Sequence, residues 1–122
     1  MPFADLIGIE DLAGDAEEVT ATLRWDASRC TGGGILHGGA LMSLADSAGA
    51  HCAFLNLPAG SSTATVESKT NFFRPVREGA VKAVSRPLHR GRTLIVVDTE
   101  LFDAQGRLVA RVTQTQAVLP PR

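Results

Sequence analysis

Between Gly32 and Ala50 the chain reads GGGILHGGALMSLADSAGA. Two features in this stretch can do chemistry. The first is Asp46, a single carboxylate among small and apolar residues on a segment with helical periodicity. Met42, Ser43, Gly49 and Ala50 lie three and four positions away, and Gly39 and Ala53 extend a stripe of mostly small residues. Such a stripe lets another backbone or a ligand come close. A carboxylate in this setting loses hydration, which raises its pKa unless a partner offsets the effect, and acids perturbed this way often serve active sites. The structural alternative is an acid hydrogen-bonded to Ser43, Ser47 or a nearby strand. The second feature is His37-Gly38-Gly39, where a helix is expected to start. A helix start exposes unpaired N–H groups and the positive end of its dipole. Gly38 and Gly39 place no side chain in the way, so a developing oxyanion can sit there. His37 equally serves as an anchor of the loop through a ring nitrogen. A helix start able to hold an oxyanion, followed by a carboxylate on the same helix, suggests acyl chemistry.

The elements that must hold these residues follow from periodicity and punctuation. A helix is expected from near Gly38 to before Pro58, because Leu41, Leu44, Ala45, Ala48, Cys52 and Leu55 recur at helical spacing. Three consecutive glycines, Gly32 to Gly34, make the segment before it a loop. Upstream, DLIGIED is a short strand candidate broken near Gly14, and Val19, Ala21, Leu23 and Trp25 share one face of a second strand. Downstream, four strands are expected at about Ala64 to Arg74, Ala80 to Leu88, Thr93 to Phe102 and Leu108 to Leu119, divided by RPVREG, HRGR and DAQG. Connections this short imply antiparallel pairing. The helix is apolar nearly all round, which suits a helix wrapped by a sheet. One long central helix inside a curved antiparallel sheet of about five or six strands is an α+β arrangement with the outline of a hotdog fold, expected here as one domain over residues 1–122.

Composition narrows the classes. Twelve basic and 13 acidic residues give a net charge of −1, so no nucleic-acid footprint is visible. No apolar run approaches the ~20 residues that a membrane span requires, and no charged, apolar leader opens the chain, so a cytoplasmic protein is expected. Two cysteines do not form a disulfide framework. Both are expected reduced, with Cys52 a small core residue.

GGGILHGGALMSLADSAGA, followed by TVESKTNFFRPVREG and HRGRTLIVVDTELFDAQGRLVA, resembles the PaaI-type, phenylacetate-degradation hotdog thioesterases from roughly Thr31 to Leu119. The resemblance implies hydrolysis of acyl-CoA thioesters, commonly aryl- or phenylacyl-CoA, with no metal and no organic cofactor. It implies that Asp46 is the catalytic carboxylate, acting as a base on water or attacking the carbonyl. It implies that Gly38 supplies the oxyanion N–H, that His37 supports the substrate end and that Thr65 orients water. Six residues before the histidine, relatives often carry Asn or Gln; this chain has Thr31. Gly39 completes the helix start beside the substrate. Met42, Phe54 and Phe72 are candidates for the acyl end, against ordinary core packing for each. CoA carries phosphates, and Arg90 and Arg92 flank Gly91 in a tight connection, while Arg74 and Arg77 bracket Pro75. Arginine forks suit phosphate, although a solvated turn explains such residues too.

Two further classes stay open. A hotdog hydratase or dehydratase needs a histidine and an acid converging on one substrate, and Asp46 and His51 point about 140° apart on a helix. A non-catalytic acyl-CoA-binding protein would need a partner-binding segment for which the chain has little room. Gly38 and Asp46 stand about 12 Å apart along one helix at 1.5 Å per residue, too far to share a carbonyl. A homodimer or homotetramer with sites shared between subunits is therefore expected, as the resemblance also implies.

Overall fold

The computed structural model describes residues 1–122. Its six strands are β1 (Ile9–Gly14), β2 (Val19–Arg24), β3 (Ser62–Phe72), β4 (Ala80–Arg90), β5 (Leu94–Phe102) and β6 (Leu108–Leu119). They form a single sheet in the order β1-β2-β4-β5-β6-β3, and every neighbouring pair is antiparallel. A short helix α1 (Pro2–Ile7) precedes the sheet, and the long helix α2 (Gly38–Phe54) packs against all six strands. This is the hotdog arrangement.

The core lies between α2 and the inner face of the sheet. In β2 the alternation expected from sequence holds: Val19, Ala21 and Leu23 are buried while their neighbours are not. From the helix, Leu41, Leu44, Ala45, Ala48, Cys52 and Ala53 enter the same core. Gly49 lets α2 approach the sheet closely, because a Cβ there would overlap the amide of Gln114 on β6. Trp25 lies just past β2, half-buried, and its indole N–H donates to the Gly34 carbonyl at 3.1 Å.

One expectation, at the start of the chain, is corrected. DLIGIED is not one strand; Pro2–Ile7 is helical and the strand begins at Ile9. Pro2 occupies the first turn, where its missing N–H costs nothing, and Gly8 closes the helix in the left-handed conformation at φ 85°. The sheet wraps α2 as expected, on one face of the helix, whereas Met42, Asp46 and Phe54 lie exposed on another.

The edge strand β3 is exposed along nearly its whole length on both faces and pairs only with β6. It starts and ends two residues earlier than expected, so Phe73 and Arg74 belong to the loop that follows. No helix is long and apolar enough to cross a membrane. Cys30 and Cys52 are both free thiols, and burial pushes the Cys52 thiol up to about 11.

Candidate active site

The entry to α2 is pinned before it begins. Leu36 N–H donates to the Val76 carbonyl and His37 N–H to the Arg29 carbonyl, both at 2.9 Å. Thr31 closes the glycine turn: its N–H donates to Ile35, and its hydroxyl accepts the Gly33 N–H at 3.2 Å. The Thr31 side chain thus shapes the loop. His37 is the N-cap, with ψ 136°, and its Nδ1 accepts the Gly39 N–H at 2.8 Å. A neutral imidazole bonded this way carries its proton on Nε2. Ala40 and Leu41 N–H groups both reach the His37 carbonyl. That leaves the Gly38 N–H as the first-turn donor with no acceptor in the chain. The Phe72 ring packs over Gly38, where a Cβ would stand 3.1 Å from its Cζ. Gly38, Leu41, Phe72 and Phe73 line a concavity of about 310 Å³ that Thr31 also borders.

Two turns along α2, Asp46 faces β3. The Thr65 hydroxyl faces its carboxylate and favours the charged form. The Thr65 oxygen accepts the Gln116 amide N–H at 2.8 Å, while the Gln116 carbonyl accepts the Thr63 hydroxyl at 3.1 Å. Gln116 is buried on β6, so the relay is anchored in the sheet. Desolvation pushes the Asp46 carboxyl above its ordinary range, and the nearby Thr65 hydroxyl pulls it partly back. Asp46 remains open to approach on the side away from the core, in a concavity of about 340 Å³ with Met42, Ser68, Ser47 and Phe3. Ser43 is not its partner; that hydroxyl donates to the Gly39 carbonyl at 2.8 Å.

The remaining expected residues separate. Met42 joins Asp46, and Phe72 and Thr31 join Gly38. Phe54 does not join either; it stacks on His51 at the far end of α2, with ring centroids 6.3 Å apart. Arg90 is engaged elsewhere, because its guanidinium pairs with Glu17 at 2.7 Å and donates to the Ala16 carbonyl. Arg92 is exposed and forms no ion pair. Arg74, Arg77 and Arg107 border a concavity of about 450 Å³ adjoining the one at Gly38, and Arg107 is paired with Asp103. No three His, Cys, Asp or Glu side chains converge as metal ligands.

Gln116 and Ser68 were not among the sequence candidates. The signal for Gln116 lies in VTQTQAV, where a glutamine occupies the phase of β6 that Val112 sends into the core. Ser68 carries no comparable mark.

Known proteins share this fold. The family model of the thioesterase superfamily matches residues 33–110. The chain is 35% identical over 113 residues to the 1,4-dihydroxy-2-naphthoyl-CoA hydrolase of Escherichia coli, covering 93% of this chain and 82% of that protein. A mutant of the thioesterase PA1618 from Pseudomonas aeruginosa superposes with a TM-score of 0.91 at 35% identity, over 97% of this chain and 86% of that one. The PaaI protein of the Escherichia coli phenylacetic acid degradation operon superposes with a TM-score of 0.89 at 25% identity, over 99% and 86%.

Proposed function

The chain belongs to the thioesterase superfamily and is a thioester hydrolase, and on that premise we propose that it hydrolyses acyl-CoA thioesters to the free acid and CoA at a site built by Asp46 and Gly38. The observation that carries this reading is the open face of α2. It presents a carboxylate with a raised pKa, oriented by Thr65, and at its start an N–H with no acceptor. Asp46 takes a proton from water as that oxygen adds to the thioester carbonyl carbon. A base raised above the ordinary carboxylate range suits this step better than an unperturbed one. Gly38 N–H holds the oxygen that becomes negative. The tetrahedral adduct collapses with loss of the C–S bond, and the proton on Asp46 returns to the leaving thiolate. Thr65 and Gln116 hold the carboxylate in place, and His37 fixes the first turn by occupying Gly39.

Asp46 and Gly38 lie on one continuous helix, eight residues or about 12 Å apart along its axis. The site therefore takes Gly38 from one subunit and Asp46 from its partner across a two-fold axis. The open α2 face, the exposed edge strand with Val66 and Phe72 at 61% and 49% exposure, and Phe73 just past it at 55% support coverage by a second copy. The assembly is a homodimer, paired further into a homotetramer. Arg92 is left to meet the CoA phosphates, whereas Arg90 braces the β1–β2 turn.

The deciding experiment is a hydrolysis panel of short, branched and aryl acyl-CoAs read by thiol release, alongside crotonyl-CoA read by loss of enoyl absorbance. Thiol release from an aryl- or phenylacyl-CoA is the expected result. Enoyl hydration without thiol release would instead identify a hydratase on the same fold.

A further inference from the structure

Helix α1 enters no step of this reaction, yet it stands at the mouth of the site. Phe3 is 59% exposed and Leu6 79%, and Met42 of α2 is 42% exposed. Phe3 walls two concavities at once. In one, of about 460 Å³, Phe3, Leu6 and Ile7 face Arg29, His37 and Gly39. In the other, Phe3 and Met42 face Asp46 and Ser68. Apolar side chains in this number facing water are costly unless something apolar covers them. Here the space they border is continuous with the carboxylate and the helix start.

The helix is fixed in that position. Ala4 is buried, and the left-handed Gly8 returns its N–H to the carbonyls of Ala4 and Asp5. The Arg29 guanidinium fills the space where a side chain at Gly8 would lie. From there Arg29 Nε donates to the Ile7 carbonyl at 2.5 Å and Nη1 to the Arg24 carbonyl at 3.2 Å. The backbone carbonyl of the same residue accepts His37 N–H. Arg29 therefore grips the end of α1 with its side chain and the entry of α2 with its backbone.

We propose that α1 is the acyl-end wall of the site: Phe3 and Leu6, with Met42, receive an aryl or comparably bulky apolar acyl group. Arg29 is the positioning residue that keeps this wall in register with His37 and Gly39. The inference rests on the acyl-CoA hydrolase reading, and its test reads binding as well as turnover so that the two fail separately. An aromatic acyl group suits Phe3, because offset or edge-to-face contact between rings adds to the burial of area.

The test uses the full chain. The affinity of S-phenacyl-CoA, a thioether that water cannot cleave, is measured by calorimetry, and kcat/KM is measured for phenylacetyl-CoA and acetyl-CoA. Phe3→Ala is expected to weaken S-phenacyl-CoA about tenfold and to lower the phenylacetyl-to-acetyl ratio of kcat/KM by a similar factor. Phe3→Leu recovers most of both. Arg29→Ala raises KM and lowers kcat together, since it releases the wall and the helix entry at once, while Arg29→Lys restores neither because one ammonium cannot span both carbonyls. Wild-type protein that does not bind S-phenacyl-CoA overturns the proposal. So does Phe3→Ala with unchanged affinity and unchanged ratio. A Phe3→Ala variant whose assembled mass changes also overturns it, by showing Phe3 to be an interface residue. If no acyl-CoA is hydrolysed, the hydrolase reading fails and the binding arm still decides the role of α1.

Discussion

The Thr65 hydroxyl of β3 faces the Asp46 carboxylate of α2 across the gap between the helix and the edge of the sheet, and it favours the charged carboxylate. Gln116 holds that hydroxyl by donating to its oxygen at 2.8 Å. Desolvation of Asp46 opposes the charge and is the larger effect. Removing the hydroxyl must therefore raise the Asp46 pKa further. Thr65→Val is expected to move the acid limb of the kcat/KM profile to higher pH, with a loss of rate even on the plateau from poorer orientation. Gln116→Leu should move the limb in the same direction by a smaller amount. A profile that keeps its limb while only its height falls would separate Thr65 from the carboxylate. The measurement is initial rate against pH for one acyl-CoA.

Replacing Asp46 itself separates chemistry from stability. Asp46→Ala and Asp46→Asn should each cost at least about 10²-fold in kcat, because neither side chain takes a proton from water. Their folding should not suffer. The carboxyl pKa is raised in the folded chain, so the folded state binds the proton more tightly than the unfolded one. Stability then falls as pH rises from the unfolded pKa through the folded one, and the full penalty stands above that window. Asp46→Asn removes the penalty, so its Tm at neutral pH should equal or exceed that of wild type, with the difference closing below the unfolded pKa. Thermal melts at several pH values check the sign. A lower Tm at neutral pH would make Asp46 a structural acid.

Gly49 reports how closely α2 lies on the sheet. In a helix interior, Gly→Ala ordinarily gains up to about 1 kcal/mol. Here the new Cβ would overlap the Gln114 amide, which is fully buried and has no hydrogen-bond partner for either of its polar atoms. Overpacking of this kind costs about 1–3 kcal/mol, so the clash outweighs the propensity. Gly49→Ala should lower Tm, and Gly49→Ala with Gln114→Ala should recover much of the loss. Additive losses in a double-mutant cycle would show that the two positions do not meet.

How far these relationships could be read from sequence depends on the range over which they act. Helix α2 and strands β2, β4, β5 and β6 were visible because their apolar residues repeat with the period of the element itself. At the start of the chain Leu6, Ile7 and Ile9 look like a strand, while Pro2 and the left-handed Gly8, which bound the helix, lie at its edges. What covers the Asp46 face is a different matter. Composition marks a helix face as apolar or small, but it does not say whether a sheet or another molecule covers that face. Glu17, which engages Arg90, and Gln116, which orients Thr65, come from distant parts of the chain. No local pattern announces such partners.

The helix geometry gives the strongest test of a shared site. Within one chain, Gly38 N–H and Asp46 are about 12 Å apart along α2, whereas a donor and a base acting on one carbonyl must each come within about 3 Å of a reacting atom or act through one water. Asp46→Ala removes the base alone. Gly38→Pro removes the donor with little other disturbance: Gly38 is the first helical residue, where proline is favoured, and His37 before it is already extended, as a residue preceding proline prefers. The Phe72 ring must give way slightly, since it stands 3.1 Å from where a Cβ would be. Each variant alone should assemble and should lose activity, Gly38→Pro by about 10²–10³-fold. Refolded together, the two chains form mixed dimers. If each site joins Gly38 of one subunit to Asp46 of the other, a mixed dimer holds one doubly defective site and one intact site. Mixed dimers should then show about half the wild-type activity per dimer, and statistical mixing of equal amounts should return about one quarter of it overall. If mass measurement shows mixed dimers and no activity returns, each site lies within one chain, and the distance along α2 must be bridged by substrate or by a movement of the helix entry.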